Sequence, residues 1–92
     1  ADDADAIASC DAAIRQRGAD ATLHGARAIA ELRAGQHAAA IADLDLAIAA
    51  DPAPKWRRLR GKARRAAGDT DGAKRDFEQA CQLHDAEACR ER

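Results

Sequence analysis

The residues of this chain that could do chemistry fall mainly in two places. Residues 55–65 read Lys-Trp-Arg-Arg-Leu-Arg-Gly-Lys-Ala-Arg-Arg, seven basic side chains in eleven positions. On a helix, Lys55, Arg58, Lys62 and Arg65 recur at i, i+3, i+7 and i+10 and form one stripe. Planar guanidinium donors match a carboxylate in pairs, so the stripe suits an acidic segment or a terminal carboxylate. The competing reading is a solvated face, paired with the acidic first half of the chain or with neighbouring molecules. A basic stripe also attracts phosphates. Nucleic acid is disfavoured because the chain has a slightly acidic pI near 6.3 and only Trp56 and Phe77 to stack on bases.

The second place is Cys81-x-x-His84-x4-Cys89. As a metal motif it offers three ligands where structural zinc takes four, and no metal site is read from it. The bland assignment is two buried thiols in a cytosolic protein. Catalytic thiols want a low pKa in an electropositive site, and the seven-residue spacing is wider than that of a redox pair. Cys10 reads as a small core residue.

Nothing else suggests an enzyme. Ser9, Thr22 and Thr70 are the only hydroxyl side chains, and the six glycines stand singly, without a phosphate-cradling run. His24, His37 and His84 lack the paired spacing of metal ligands. Asp43 and Asp45, two apart on a helix, point to different faces and read as solvated charges. No cofactor is called for.

The elements that must carry these residues are helices. Of the 92 residues, 27 are Ala, and the large apolar side chains are five Ile, six Leu, Phe77 and Trp56. Alanine is the best helix former and lets helices approach closely, so the composition predicts packed helices with a thin core. Residues 1–53 carry nine acidic and four basic side chains, and residues 54–92 eleven basic and seven acidic. That asymmetry bears on partners and orientation. No apolar run approaches the length of a membrane span. The start, Ala1-Asp2-Asp3-Ala4, suits a mature N-terminus left by signal cleavage.

An internal repeat organises the chain. Ala6-Ile7-x-x-Cys10-x-x-Ala13-Ile14 returns after 34 residues as Ala40-Ile41-x-x-Leu44-x-x-Ala47-Ile48. After 33 more it returns as Ala73-x-x-x-Phe77-x-x-Ala80-Cys81. Gly35-Gln36 returns as Gly68-Asp69, and Ala28 as Gly61. Leu23, Ala26 and Ala30 recur as Trp56, Leu59 and Ala63, one face of a second helix. Breakers at Gly18, Gly35, Pro52 with Pro54, Gly68 and Gly72 separate the segments. The pattern predicts helices near 4–16, 20–34, 37–50, 54–67, 70–83 and 85–91. Asp3 or Asp20 would serve as N-caps, with Asp69 and Asp71 beside the fifth helix. Trp56, like Leu23 before it, is expected to pack between repeats.

These residues carry a resemblance to the tetratricopeptide repeat (TPR) family. Ala28, Gly35, Ala40-Ile41, Leu44, Ala47-Ile48 and Asp51-Pro52 match one repeat; Gly61, Gly68-Asp69, Ala73, Phe77 and Ala80 match a second. The resemblance covers nearly the whole chain. It departs from the family at His24, Glu31, Arg57 and Arg64, which stand where aromatic or aliphatic residues are usual. It implies an all-α fold of antiparallel helical hairpins, stacked as a short right-handed TPR-like solenoid in a single domain. The units would be the end of one repeat (4–18), repeats 20–52 and 54–84, and a partial helix 85–91. Cys81 and Cys89 are similar to the cysteine pair of the Sel1-like variant. That likeness implies a disulfide across the turn, contributing roughly 2–3 kcal/mol, and a periplasmic or secreted location, with the cytoplasm as the alternative.

In the family register the first helix of each repeat lines a concave groove. The expected function is therefore protein–protein interaction: Lys55, Arg58, Lys62 and Arg65 supply charge toward an acidic peptide or partner, and Ile29 and Leu32 supply apolar contact. The usual carboxylate clamp of such domains employs Asn, which this chain lacks. The alternative is structural self-association, a homo-oligomer formed through a terminal face.

Overall fold

A computed structural model describes residues 2–18 and 20–92. Ala1, where the sequence suggests a processed N-terminus, lies outside the described residues. Among the described residues six helices follow one another: α1 (Asp3–Arg17), α2 (Ala21–Arg33), α3 (His37–Ala50), α4 (Pro54–Ala66), α5 (Thr70–Gln82) and α6 (Ala86–Glu91). Among the described residues there is no strand. Each helix packs on the next in the chain, and α2 also touches α4. The fold is all-α, a stack of helical hairpins, with extents of 35 × 24 × 19 Å.

Local signals set the boundaries. Asp2, Asp20, Asp69 and Asp85 accept a hydrogen bond from the backbone N–H three residues on, at 2.9, 2.7, 2.9 and 2.9 Å. Each satisfies an otherwise orphaned donor. The first cap is thus Asp2 rather than Asp3, which begins the helix, and Asp85 is a cap rather than part of α6. Pro54 opens α4 at a position where its missing N–H is harmless. The two hairpin turns are built alike. Gly35 and Gly68 take φ of 78° and 91°, which only glycine adopts freely. The next residue then bonds back to the helix, Gln36 N–H to Glu31 O and Asp69 N–H to Arg64 O, both at 2.8 Å.

The core has two parts. Ala28, Ala40, Leu44, Ala47, Trp56 and Ala63 form the first, with Leu32, Ile41, Ile48 and Leu59 at its margin. Ala73, Phe77, Ala80 and Ala88 form the second. Alanines and glycines let the large residues in. Trp56, 5% exposed, reaches from α4 onto Gly25 of α2, where an added Cβ would lie 2.1 Å from the indole. Within the second hairpin, Phe77 of α5 lies on Gly61 of α4, where an added Cβ would lie 2.8 Å from the ring. Trp56 therefore joins the two hairpins.

Candidate functional site

The stripe on α4 faces a partner that its own sequence neighbourhood does not reveal. Arg58 Nε donates to Asp85 Oδ2 at 3.1 Å, and Arg58 Nη1 donates to Glu87. Lys62 Nζ lies 3.9 Å from Glu87, and Arg65 Nη2 forms an ion pair with Glu91 at 2.6 Å. Three of the four cations thus hold carboxylates of α6 or its cap. Lys55 sits instead with its ammonium 4.6 Å from the Trp56 ring centroid. Of the two apolar candidates, Ile29 is exposed and Leu32 packs against the first core cluster. At the Arg65 end the stripe meets a hollow of about 190 Å³ whose lining includes Thr70, Lys74, Phe77 and Glu91.

Asp85 serves twice. Its Oδ1 caps α6 and its Oδ2 takes the Arg58 guanidinium. Burial alone would push its carboxyl up, but the Ala88 amide and Arg58 outweigh that and hold it below the usual carboxylate range.

A disulfide fastens α6. Cys81 near the end of α5 is bridged to Cys89 on α6, with Cα atoms 4.6 Å apart, inside the range a disulfide spans. The other anchors of α6 are slight. Its one fully buried side chain is Ala88, worth about 1 kcal/mol. The partly exposed ion pairs contribute about 0–1 kcal/mol each. A six-residue helix has no stability of its own. The bridge, at roughly 2–3 kcal/mol, is the largest single restraint on α6.

A second polar system was not legible as such in the sequence. Arg27 of α2 donates through Nε and Nη2 to Asp43 of α3 at 2.9 and 2.6 Å, and through Nη1 to Asp11 of α1 at 2.6 Å. The arrangement repeats: Arg60 of α4 donates to Asp76 of α5 at 3.0 and 2.8 Å and to Asp45 of α3 at 2.8 Å. Each arginine ties together three consecutive helices. Asp43 is 4% exposed, so the expectation that it is a solvated charge is wrong; Asp45 is exposed as expected. The two aspartates point to different faces of α3, and one of those faces is buried against α2.

Three of the four departures from the TPR pattern, His24, Glu31 and Arg64, belong to this system. His24 Nδ1 lies 3.0 Å from Asp43 Oδ1, and Arg64 donates to Asp76 at 2.9 Å. Arg57 bonds the Pro52 carbonyl at 3.3 Å. Hydrogen bonds to Asp76 push the Arg60 guanidinium up, and those to Asp43 do the same for Arg27. Glu31, 6% exposed, sits beside Asp43. Burial first, and the Asp43 carboxylate second, push its pKa up to about 8. Burial works against the Asp43 charge too, but its hydrogen bonds to Arg27, Glu31 and His24 prevail and hold it low. The sequence signal was the 33-residue recurrence of Arg27 as Arg60 and of Asp43 as Asp76.

No described helix is long and apolar enough to cross a membrane. No protein-family model matches the sequence, and no curated protein matches it.

Proposed function

We propose that this chain is a TPR-like protein-interaction module whose α4 stripe receives an acidic helical segment of a partner protein. The observation that carries this reading is the seating of Asp85, Glu87 and Glu91 on Arg58, Lys62 and Arg65. The molecule's own C-terminal helix displays the chemistry the stripe accepts: carboxylates in the pattern Asp-x-Glu-x-x-x-Glu. Lys55, uncommitted to any carboxylate among the described residues, and the hollow beside Arg65 extend the surface at either end. The disulfide supports an oxidising compartment, periplasmic or extracellular.

The test is a titration with a labelled helical peptide carrying that acidic pattern. The protein bears Asp85→Asn/Glu87→Gln/Glu91→Gln, which discharges α6 while keeping a capping side chain at 85. Binding is expected, weakening with salt. Adding Lys55→Glu/Lys62→Glu should reduce it at least tenfold. Arg15→Glu/Arg17→Glu on the exposed end of α1 should leave it unchanged. No binding, or equal loss from both reversals, would sink the reading. Sedimentation over a range of concentrations distinguishes it from self-association, which requires a mass that rises with concentration.

A further inference from the structure

The stripe and the disulfide meet on the same six-residue helix. The ion pairs between the basic stripe and α6 with its cap run through Asp85, Glu87 and Glu91. Its apolar hold is Ala88 alone among fully buried side chains. Cys89, on the same helix, is bridged back to Cys81. Both cysteines are half-buried rather than enclosed in the core.

We infer that the Cys81–Cys89 bridge is a latch: while it is closed, α6 occupies the α4 stripe, and its reduction frees the stripe for an acidic helix of another chain. This rests on reading the stripe as an acidic-helix site. The opening step is thiol–disulfide exchange. A dithiol supplies two electrons and two protons, its own sulfurs join, and Cys81 and Cys89 are left as two thiols. Released from the bridge, α6 keeps one buried methyl and a set of partly exposed ion pairs, too little to hold a helix of this length. The exchange leaves no buried charge orphaned, because incoming carboxylates replace equivalent ones on Arg58, Lys62 and Arg65. A tethered α6 competes at high effective concentration, so closing or opening the latch changes affinity by degree. Asp85 links the two elements, its Oδ1 capping α6 while its Oδ2 takes the Arg58 guanidinium.

The experiment compares the wild-type chain, oxidised and after dithiothreitol, in two readouts. One is affinity for the labelled peptide carrying the Asp-x-Glu-x-x-x-Glu pattern. The other is amide hydrogen exchange of residues 86–91, with α2–α5 as the internal reference. Reduction should raise the affinity at least tenfold and speed exchange in α6, while α2–α5 stay protected. Cys81→Ser/Cys89→Ser should behave as the reduced protein with or without dithiothreitol. If reduction changes neither affinity nor α6 exchange, while the α6-discharged protein still binds, the latch is refuted and the stripe reading survives. If the discharged protein fails to bind as well, both fall. Loss of protection throughout α2–α5 on reduction would also overturn the latch, since the bridge would then be a general support of the fold.

Discussion

The two hairpins, α2–α3 and α4–α5, are built on one plan and differ where it matters for charge. In each, an arginine clamps a buried aspartate of the same hairpin and reaches an aspartate of the preceding helix. In the second hairpin, Arg64 adds another donor to Asp76. In the first, the matching position is Glu31, a second acid beside Asp43, and its carboxyl keeps its proton to about pH 8. One site therefore carries surplus positive charge, the other a shared proton. A buried ion pair does not by itself define the electrostatics of a repeat; the residue one helical turn away does.

The comparison is broken most severely at the aspartates. Asp76→Ala takes the fully buried acceptor shared by the half-buried Arg60 and Arg64 out of the interface between α4 and α5. It should cost about 3–5 kcal/mol and bring the chain close to unfolding. Asp43→Ala should cost less, about 1–3 kcal/mol, because Glu31 can ionise and take over Arg27. Urea midpoints at neutral pH measure both, and equal losses would show that Glu31 does not stand in.

A smaller effect concerns packing. The first hairpin pairs Ala28 with Leu44 in its core, and the second pairs Gly61 with Phe77. Gly61→Ala should cost about 1–3 kcal/mol, the range for overpacking. Adding Phe77→Leu, which copies the first hairpin, should recover part of the loss. A double-mutant cycle without coupling would refute the exchange of volumes.

The shared proton gives a pH test. Unfolded, Glu31 titrates near 4.5; folded, near 8. Between those values the folded chain binds a proton that the unfolded chain releases, so stability falls as pH rises through this window. Asp43 works oppositely: its lowered folded pKa contributes stability above 3.8 that is lost on acidification. Glu31→Gln should flatten the alkaline decline and raise Tm at pH 9 by several degrees, corresponding to about 1 kcal/mol, with little change at pH 5. An unaltered slope would place the proton elsewhere.

The smallest effect lies at the helix starts. Gln36 and Asp69 share a backbone conformation, φ near −90° and ψ of 70° and 77°, but only Asp69 caps its helix. Gln36→Asp should add about 0.5–1 kcal/mol, seen as a small rise in Tm.

The sequence makes the scaffold more legible than the site. All six helices lie within two residues of their expected limits, because glycines, prolines and acidic caps punctuate the alanine-rich segments. Asp20 and Asp69 are readable caps, whereas the choice between Asp2 and Asp3 turns on one residue of register. Asp43 and Asp45 look alike in the chain and differ completely in space, since burial depends on the arginine that arrives from the preceding helix. The partners of Arg58, Lys62 and Arg65 are equally obscure in one dimension. They lie more than twenty residues away on a helix too short to announce its face.

The seat of Trp56 on Gly25 has a use of its own. The molecule's single indole lies where the two hairpins meet. Its emission should be blue-shifted while they are joined and move to the red when water enters between them. Time-resolved fluorescence can therefore follow separation of the hairpins, without any added dye, while circular dichroism follows the helices themselves.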